Sequence, residues 1–290
     1  AIKVGEFMKK VGLVLEGGSM RGLYSAGVLD IMMDNKIEVD GIIGTSAGAL
    51  FGPNYITKQR GRVIRYNKDN CKKKRYISIW SYIFTGNIVN KKYAYYTLPM
   101  KLDKFDNELF MKENKEYIVT ATNIETGEPE YINIKDTYEQ VEAFRATSAV
   151  PIVTRPVKYE GKTYLDGGIS DSIPVKKAVD LGYDKIIVIL TQPLSYKKEP
   201  LSEKKKKFIN FEFKKYPKLI GRMENRHNEY NKTINYIKEL ERQGRIFVIR
   251  PSQKLDIKLI ERNPEKLEEI YQIGIKDAKK QMNKLKKYLS

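Results

Sequence analysis

The residues of this 290-residue chain that could do chemistry fall at three places. The first is Gly41-Ile42-Ile43-Gly44-Thr45-Ser46-Ala47-Gly48-Ala49-Leu50, where an apolar run of strand character enters a G-x-S-x-G pentapeptide and small, helix-compatible residues leave it. A nucleophile elbow needs this context, because its serine is held on a strained turn between a strand and a helix. Gly44 and Gly48 leave room where a Cβ would meet the adjacent strand and helix. Ser46 is therefore read as a nucleophile whose Oγ sits at a helix N-terminus, where the dipole favours developing negative charge. The plainer reading of the same pentapeptide is a tight turn without chemistry.

The second place is Gly17-Gly18-Ser19-Met20-Arg21-Gly22, between a strand-like run and a helix-like one. Strand, glycine-rich turn and helix can cradle a phosphate, but a dinucleotide fingerprint needs G-x-G-x-x-G, and Ser19 stands at its middle glycine. The preferred reading is an oxyanion hole: backbone N–H groups from Gly17 to Ser19 aimed at a developing negative charge. A glycine-rich turn of no chemical role is the alternative.

The third is the base. A hydroxyl is a poor nucleophile without a group to take its proton, and that group is most often a histidine. His227 is the one histidine of the chain, and it lies in a polar, helix-like stretch with no strand end or glycine turn to present it. Asp166 follows an apparent strand end at Leu165, with Gly167 and Gly168 keeping its approach open. Strand ends are where α/β sheets collect catalytic groups, and partial burial makes a carboxylate more basic. Asp-Gly is equally a common turn, so both uses stand at this point.

The elements that must hold these residues alternate. Strands are expected at Lys10 to Glu16, around Ile42, at Glu116 to Ile124, Glu130 to Ile134, Val153 to Val157, Thr163 to Leu165, Lys185 to Thr191 and Arg245 to Arg250. Helices are expected from Leu23 to Met32, from Ser46 toward Tyr55, at Tyr138 to Ser148 before Pro151, and at Pro174 to Leu181. An amphipathic helix over Pro264 to Leu289 closes the chain. The pattern predicts an α/β fold, a mostly parallel central sheet flanked by helices. Residues 8–195 read as the catalytic core, with 51–115 as a helical cap insertion. Residues 196–290 read as a basic helical C-terminal region whose one strand packs on the core. Ala1 to Phe7 read as residues preceding a natural start at Met8.

Composition narrows the function classes. Hydrophobic residues make up 41% and charged residues 31%, as in a globular protein, and no apolar run reaches the ~20 residues that cross a bilayer. Cys71 is alone, which excludes an intramolecular disulfide and points to the cytoplasm. With one Cys and one His, a metal site built on those ligands is not expected. The net charge of +18 is unevenly placed: residues 51–115 hold 15 basic and 5 acidic residues, and 201–290 hold 24 and 12. Such surfaces attract anionic membranes or nucleic acid. Lysines that merely solvate helix faces explain the same count. Trp80, Tyr82, Phe84, Tyr93, Tyr95 and Tyr96 among lysines suit a cap touching lipid, or the core of a helical insertion. Phe208, Phe211 and Phe213 in the lysine-dense stretch Lys197 to Lys218 either touch a membrane or anchor that stretch to the core.

With the motifs assembled, the chain resembles the patatin-like phospholipase family. Gly17-Gly18-Ser19-Met20-Arg21-Gly22 resembles its G-G-G-x-R-G motif, and Gly44-Thr45-Ser46-Ala47-Gly48 its G-T-S-A-G elbow. Asp166-Gly167-Gly168 resembles its D-G-[AG] motif, preceded by Ala146-Thr147-Ser148-Ala149-Val150-Pro151 and Arg155-Pro156-Val157. Order and spacing agree over about residues 10–190. The resemblance implies a Ser46–Asp166 dyad and hydrolysis of acyl esters of phospholipids or related lipids through an acyl-enzyme, without calcium or any other cofactor. It also implies that Arg21 helps to hold the glycine loop. Ser19 departs from the usual third glycine; its N–H survives, while its Cβ narrows the site or demands a less favourable backbone angle. The expected function is a cytoplasmic lipid acyl hydrolase at an anionic membrane surface. A carboxylesterase or thioesterase on small acyl compounds, and a basic membrane-binding protein with an idle core, are the alternatives. Nucleic acid is not an expected partner, since no recognised binding motif accompanies the charge.

Overall fold

The computed structural model describes residues 9–74, 87 and 89–290. Its centre is a parallel run of five strands, in the spatial order β3 (Glu116–Asn123), β2 (Gly41–Thr45), β1 (Val11–Leu15), β7 (Lys185–Ile189) and β8 (Ile246–Ile249). Four of these strands are short and almost wholly apolar, as strands covered on both faces must be, while β3 is longer and carries Thr120, Thr122 and Asn123 at its end. Side chains alternate between two cores. Leu13, Leu15, Ile42, Ile187 and Ile189 enter one, whereas Val14, Ile43, Ile186 and Val188 enter the other.

Helices cover both faces. On the first side lie α1 (Gly22–Asp34), α2 (Ala47–Phe51), α3 (Pro53–Ile56) and α4 (Arg62–Asn70), and α5 (Asn107–Glu113) adds Phe110 to the same core. Tyr93–Leu102 winds as a wide helix around Pro99. Its Tyr93 and Leu98 are buried, so the described part of the expected cap packs inward, while Trp80, Tyr82 and Phe84 lie outside the described residues. The second face is covered by α7 (Val175–Asp180), beyond α6 (Val141–Thr147), and by α9 (Pro217–Arg242), which follows the short basic α8 (Glu203–Glu212).

At the other edge of the parallel run the sheet turns antiparallel. β4 (Pro129–Asn133) lies along one side of β3, and β6 (Lys162–Asp166), paired with β5 (Val157–Tyr159), lies along the other. The strand expected at Val153 to Val157 is displaced. Val150 to Thr154 closes a turn, with Thr154 N–H on Val150 O at 3.0 Å and Ile152 at a φ of 78°, so the chain becomes extended only from Val157. The helix expected to run from Ser46 to Tyr55 breaks between α2 and α3, where Pro53 brings no N–H to the ladder.

The terminal helix α10 (Pro264–Leu289) buries Leu267, Ile270, Met282 and Leu285 against the first core. Its partner is α1, a helix buried almost along its whole length. The two backbones meet at glycine: a Cβ on Gly274 would lie 2.1 Å from Tyr24 O. Gly274→Ala forces the helices apart, and urea unfolding is expected to register a loss of about 1–3 kcal/mol, the usual cost of overpacking.

Candidate active site

Strand register brings the site together. Along one flank of β3, Thr45 at the end of β2 pairs with Thr120, and Asp166 at the end of β6 pairs with the next residue, Ala121. β4 occupies the opposite flank at both positions, so β2 and β6 share one flank and arrive end to end. Ser46, the residue after Thr45, is therefore a neighbour of Asp166 although 120 positions separate them in the chain. Ser46 Oγ donates to Asp166 Oδ2 at 2.6 Å.

Ser46 sits at φ 53° and ψ −123°, a conformation a serine holds only when its surroundings impose it. The surroundings are visible. Ser46 N–H donates to Thr147 Oγ1 at 3.0 Å, and that hydroxyl donates in turn to Thr120 O at 2.5 Å. Gly48 lets α2 start directly against β1, since a Cβ there would lie 2.7 Å from Leu15 O.

Asp166 is almost wholly buried, and burial pushes its carboxyl above the ordinary 3.8; the hydrogen bonds from Ser46 and Gly168 and the charge of Arg226 pull the other way. Its Oδ1 accepts Gly168 N–H at 2.7 Å, which fixes the carboxylate plane and leaves Oδ2 for the serine. A buried carboxylate of raised pKa, hydrogen-bonded to a hydroxyl, is suited to taking that hydroxyl's proton.

The glycine loop lies against Ser46, but only part of it is free to donate. Gly17 N–H is committed to Ser172 O at 3.1 Å. The expectation of donors from Gly17 to Ser19 thus loses Gly17, while the Gly18 and Ser19 amides have no acceptor among the described residues. Gly17 instead provides space, since its Cβ would stand 3.2 Å from that of Ser46. Of the two consequences expected of the Ser19 Cβ, the less favourable backbone angle is present, with φ 50°. Arg21 is also corrected. Its side chain makes no hydrogen bond to the loop, and its Nε is buried without a partner among the described residues. The acid beside it, Glu16, is already occupied by Thr191 N–H at 2.5 Å and Tyr230 O–H at 2.6 Å. The Gly22 position is one of contact, where a Cβ would meet that of Ala47 at 2.7 Å.

Two cavities meet at Ser46. One, of about 250 Å³, is lined mainly by apolar side chains, among them Leu50, Phe51, Leu98, Phe105 and Phe144. The other, of about 260 Å³, is polar and includes Arg21, Asp166, Tyr196, Lys198 and Arg226. His227 lines neither; its Nδ1 lies 3.1 Å from Glu224 O, within its own helix.

Residues 13–179 match the family model described as patatin-like phospholipase. The chain belongs to the patatin-like phospholipase family. Residues 216–290 of this patatin-like chain match a second model, described as a domain of unknown function, DUF6363. The chain is 29% identical over 272 residues to the uncharacterized protein YjjU of Escherichia coli K12, an alignment covering 91% of this chain and 75% of that protein. It is 28% identical over 189 residues to lysophospholipase nte1 of Aspergillus oryzae, covering 62% of this chain and 12% of that protein. Among solved structures, VipD from Legionella pneumophila superposes with a TM-score of 0.45 at 14% identity, covering 96% of this chain and 67% of that one.

Several residues at this patatin-like site were not singled out by sequence reasoning. Thr147 stood inside the Ala146-to-Pro151 stretch but carried no assigned part. Lys198 and Arg226 come from a loop and a helix whose local sequence offers no motif, and only the tertiary contact of α9 with the Asp166 turn brings them in. Thr147→Val leaves the buried Ser46 N–H unpaired, at a cost of about 1–3 kcal/mol. Chemical denaturation should register that loss, accompanied by slower labelling of Ser46 by a fluorophosphonate as the elbow loosens.

Proposed function

We propose that the chain hydrolyses carboxylic esters of lipids, in the manner of a phospholipase A or lysophospholipase, through a Ser46 acyl-enzyme with Asp166 as the base. The observation that carries this reading is the 2.6 Å hydrogen bond from Ser46 Oγ to Asp166 Oδ2 at the mouth of an apolar cavity. Family membership supports lipid-ester hydrolysis in general terms, and the relative named lysophospholipase supports a phospholipid or lysophospholipid substrate.

In the proposed reaction Asp166 accepts the Ser46 proton as Oγ attacks the ester carbonyl. The Gly18 and Ser19 amides receive the oxyanion. Collapse breaks the bond to the alcohol, which leaves with the proton from Asp166. Water then gives a proton to Asp166 while attacking the acyl-enzyme, and the fatty acid is released with Ser46 reprotonated. The apolar cavity holds the acyl chain. Each methylene it takes from water raises kcat/KM by about fourfold, at ~0.8 kcal/mol, until the cavity is full.

We further propose that this chemistry takes place on an anionic lipid surface. On α8, Phe211 is 74% exposed and Phe208 41% exposed beside the run Lys204 to Lys207, while Ile209 and Phe213 anchor the helix to the core. Aromatic rings beside lysines suit the headgroup region of a membrane. No helix among the described residues is long and apolar enough to cross one.

Mass spectrometry of mixed phospholipid vesicles, with a calcium chelator present, is expected to detect fatty acid and lysolipid with the native chain and neither with Ser46→Ala. Release by Ser46→Ala equal to the native rate would sink the proposal. Asp166→Asn keeps the shape and removes the base, for an expected loss of about 10²–10⁴ in kcat. Because Asp166 must be ionised and burial raises its pKa, activity is lost as pH falls through a value higher than 3.8. The acid limb of a kcat/KM pH profile measures that point.

A further inference from the structure

The polar cavity beside Ser46 holds three cations against two carboxylates, Glu16 and Asp166. Arg21, Lys198 and Arg226 all line it. Arg226 donates from Nε to Gly168 O and from Nη2 to Ser172 Oγ, both neutral acceptors. Lys198 Nζ lies over the Tyr230 ring at 5.0 Å and the Tyr196 ring at 5.8 Å. Among the described residues none of the three cations forms an ion pair. Both carboxylates of the cavity are taken, Asp166 by Ser46 and Gly168 N–H, and Glu16 by Thr191 N–H and Tyr230 O–H.

This arrangement is built. Asn231 of α9 clamps the Lys198 backbone at both ends, accepting its N–H at 2.9 Å and donating to its C=O at 3.0 Å. Lys198 is thereby held where burial, Arg226 and Arg21 together push its ammonium down to about 8. Unpaired cations kept this close are costly unless an anion joins them.

Resting on the lipid-ester reading above, we infer that this cavity is a phosphate subsite: Lys198 and Arg226, with Arg21, hold a phosphate on the alcohol side of the scissile ester. The acyl chain occupies the apolar cavity on one side of Ser46, so the alcohol leaves toward the other. The preferred substrates are then acyl esters of a phosphorylated alcohol with an anionic headgroup, such as an anionic lysophospholipid. A guanidinium fork matches phosphate oxygens in two-point contact, and an ammonium adds a point charge. A quaternary ammonium headgroup is disfavoured, because three positive charges face it and Lys198 already covers the Tyr196 and Tyr230 rings. The C-terminal region, which lies outside the patatin match, supplies Arg226 and the Asn231 clamp and so takes part in choosing the substrate.

The test compares kcat/KM for 1-palmitoyl-lysophosphatidylglycerol and 1-palmitoylglycerol, both in uncharged detergent micelles, so that acyl chain and ester are the same. The native chain is expected to favour the phosphate ester by about tenfold or more, the worth of one charge-assisted hydrogen bond. Lys198→Gln removes most of that preference, Lys198→Arg restores it, and Lys238→Gln, an exposed charge elsewhere on α9, leaves it in place. Circular dichroism establishes that each variant is folded. Equal rates on both esters with the native chain, or a preference untouched by Lys198→Gln, would overturn the subsite alone. No hydrolysis of either ester and no fluorophosphonate label on Ser46 would overturn the hydrolase reading and the subsite with it. Inorganic phosphate is added as a competitor against 1-palmitoylglycerol. Competition lost in Lys198→Gln supports the subsite when it accompanies the preference; without the preference it assigns the cavity to free phosphate and overturns the headgroup assignment.

Discussion

The structure turns on a single backbone register. Thr45 and Asp166 pair with consecutive residues of β3, and from that adjacency come the contact between a serine hydroxyl and a buried carboxylate and the absence of space for a third partner between them. A two-residue slip of β6 along β3 would move the carboxylate by two strand rises, roughly 6.6 Å, and end the contact. Burial then sets the chemistry of the pair. Away from water the carboxylate is less willing to stay ionised and more willing to take a proton.

Other features serve that contact. Ser46 and Ser19 both take left-handed backbone angles in the same small region, and each is held by packing that a helix or strand imposes from elsewhere. Strain of this kind persists only where the surroundings over-determine it. Here they are the Thr147 hydroxyl under Ser46 N–H, the close approach of Gly48 to Leu15 O, and the commitment of Gly17 N–H to Ser172 O. The last of these also leaves fewer free amides in the glycine loop than the glycine count suggests: one is spent tying the loop to the segment after Asp166.

The two cavities divide along the same line. The apolar one is built mostly by residues within the patatin match, among them those of α2, α6 and the wide helix at Tyr93–Leu102, with Leu259 and Ile260 added from the C-terminal third. The polar one needs the C-terminal third, because Lys198 is held by Asn231 and Arg226 reaches the turn after Asp166 from α9. That third also covers both faces of the sheet, α9 on one and α10 on the other, so it is at once a structural cover and a wall of the site.

The amino-acid sequence alone made the parallel sheet, the elbow at Ser46, the glycine loop and the Asp166 turn legible. These depend on local signals: apolar runs with no polar face, small residues where backbones touch, and order along the chain. Its local signals failed where neighbours decide. Val153 to Val157 has strand composition, yet the chain turns there because the edge it could pair with is reached only at Val157. Arg21 carried a family motif, yet among the described residues its side chain makes no hydrogen bond to the glycine loop it was expected to hold. Only tertiary structure put Asp166, already preferred to His227, within hydrogen-bond reach of Ser46, and only it brought Lys198 and Arg226 beside them. Distances between charges, and the burial that gives those distances their energy, are properties of packing, which no local stretch of sequence contains.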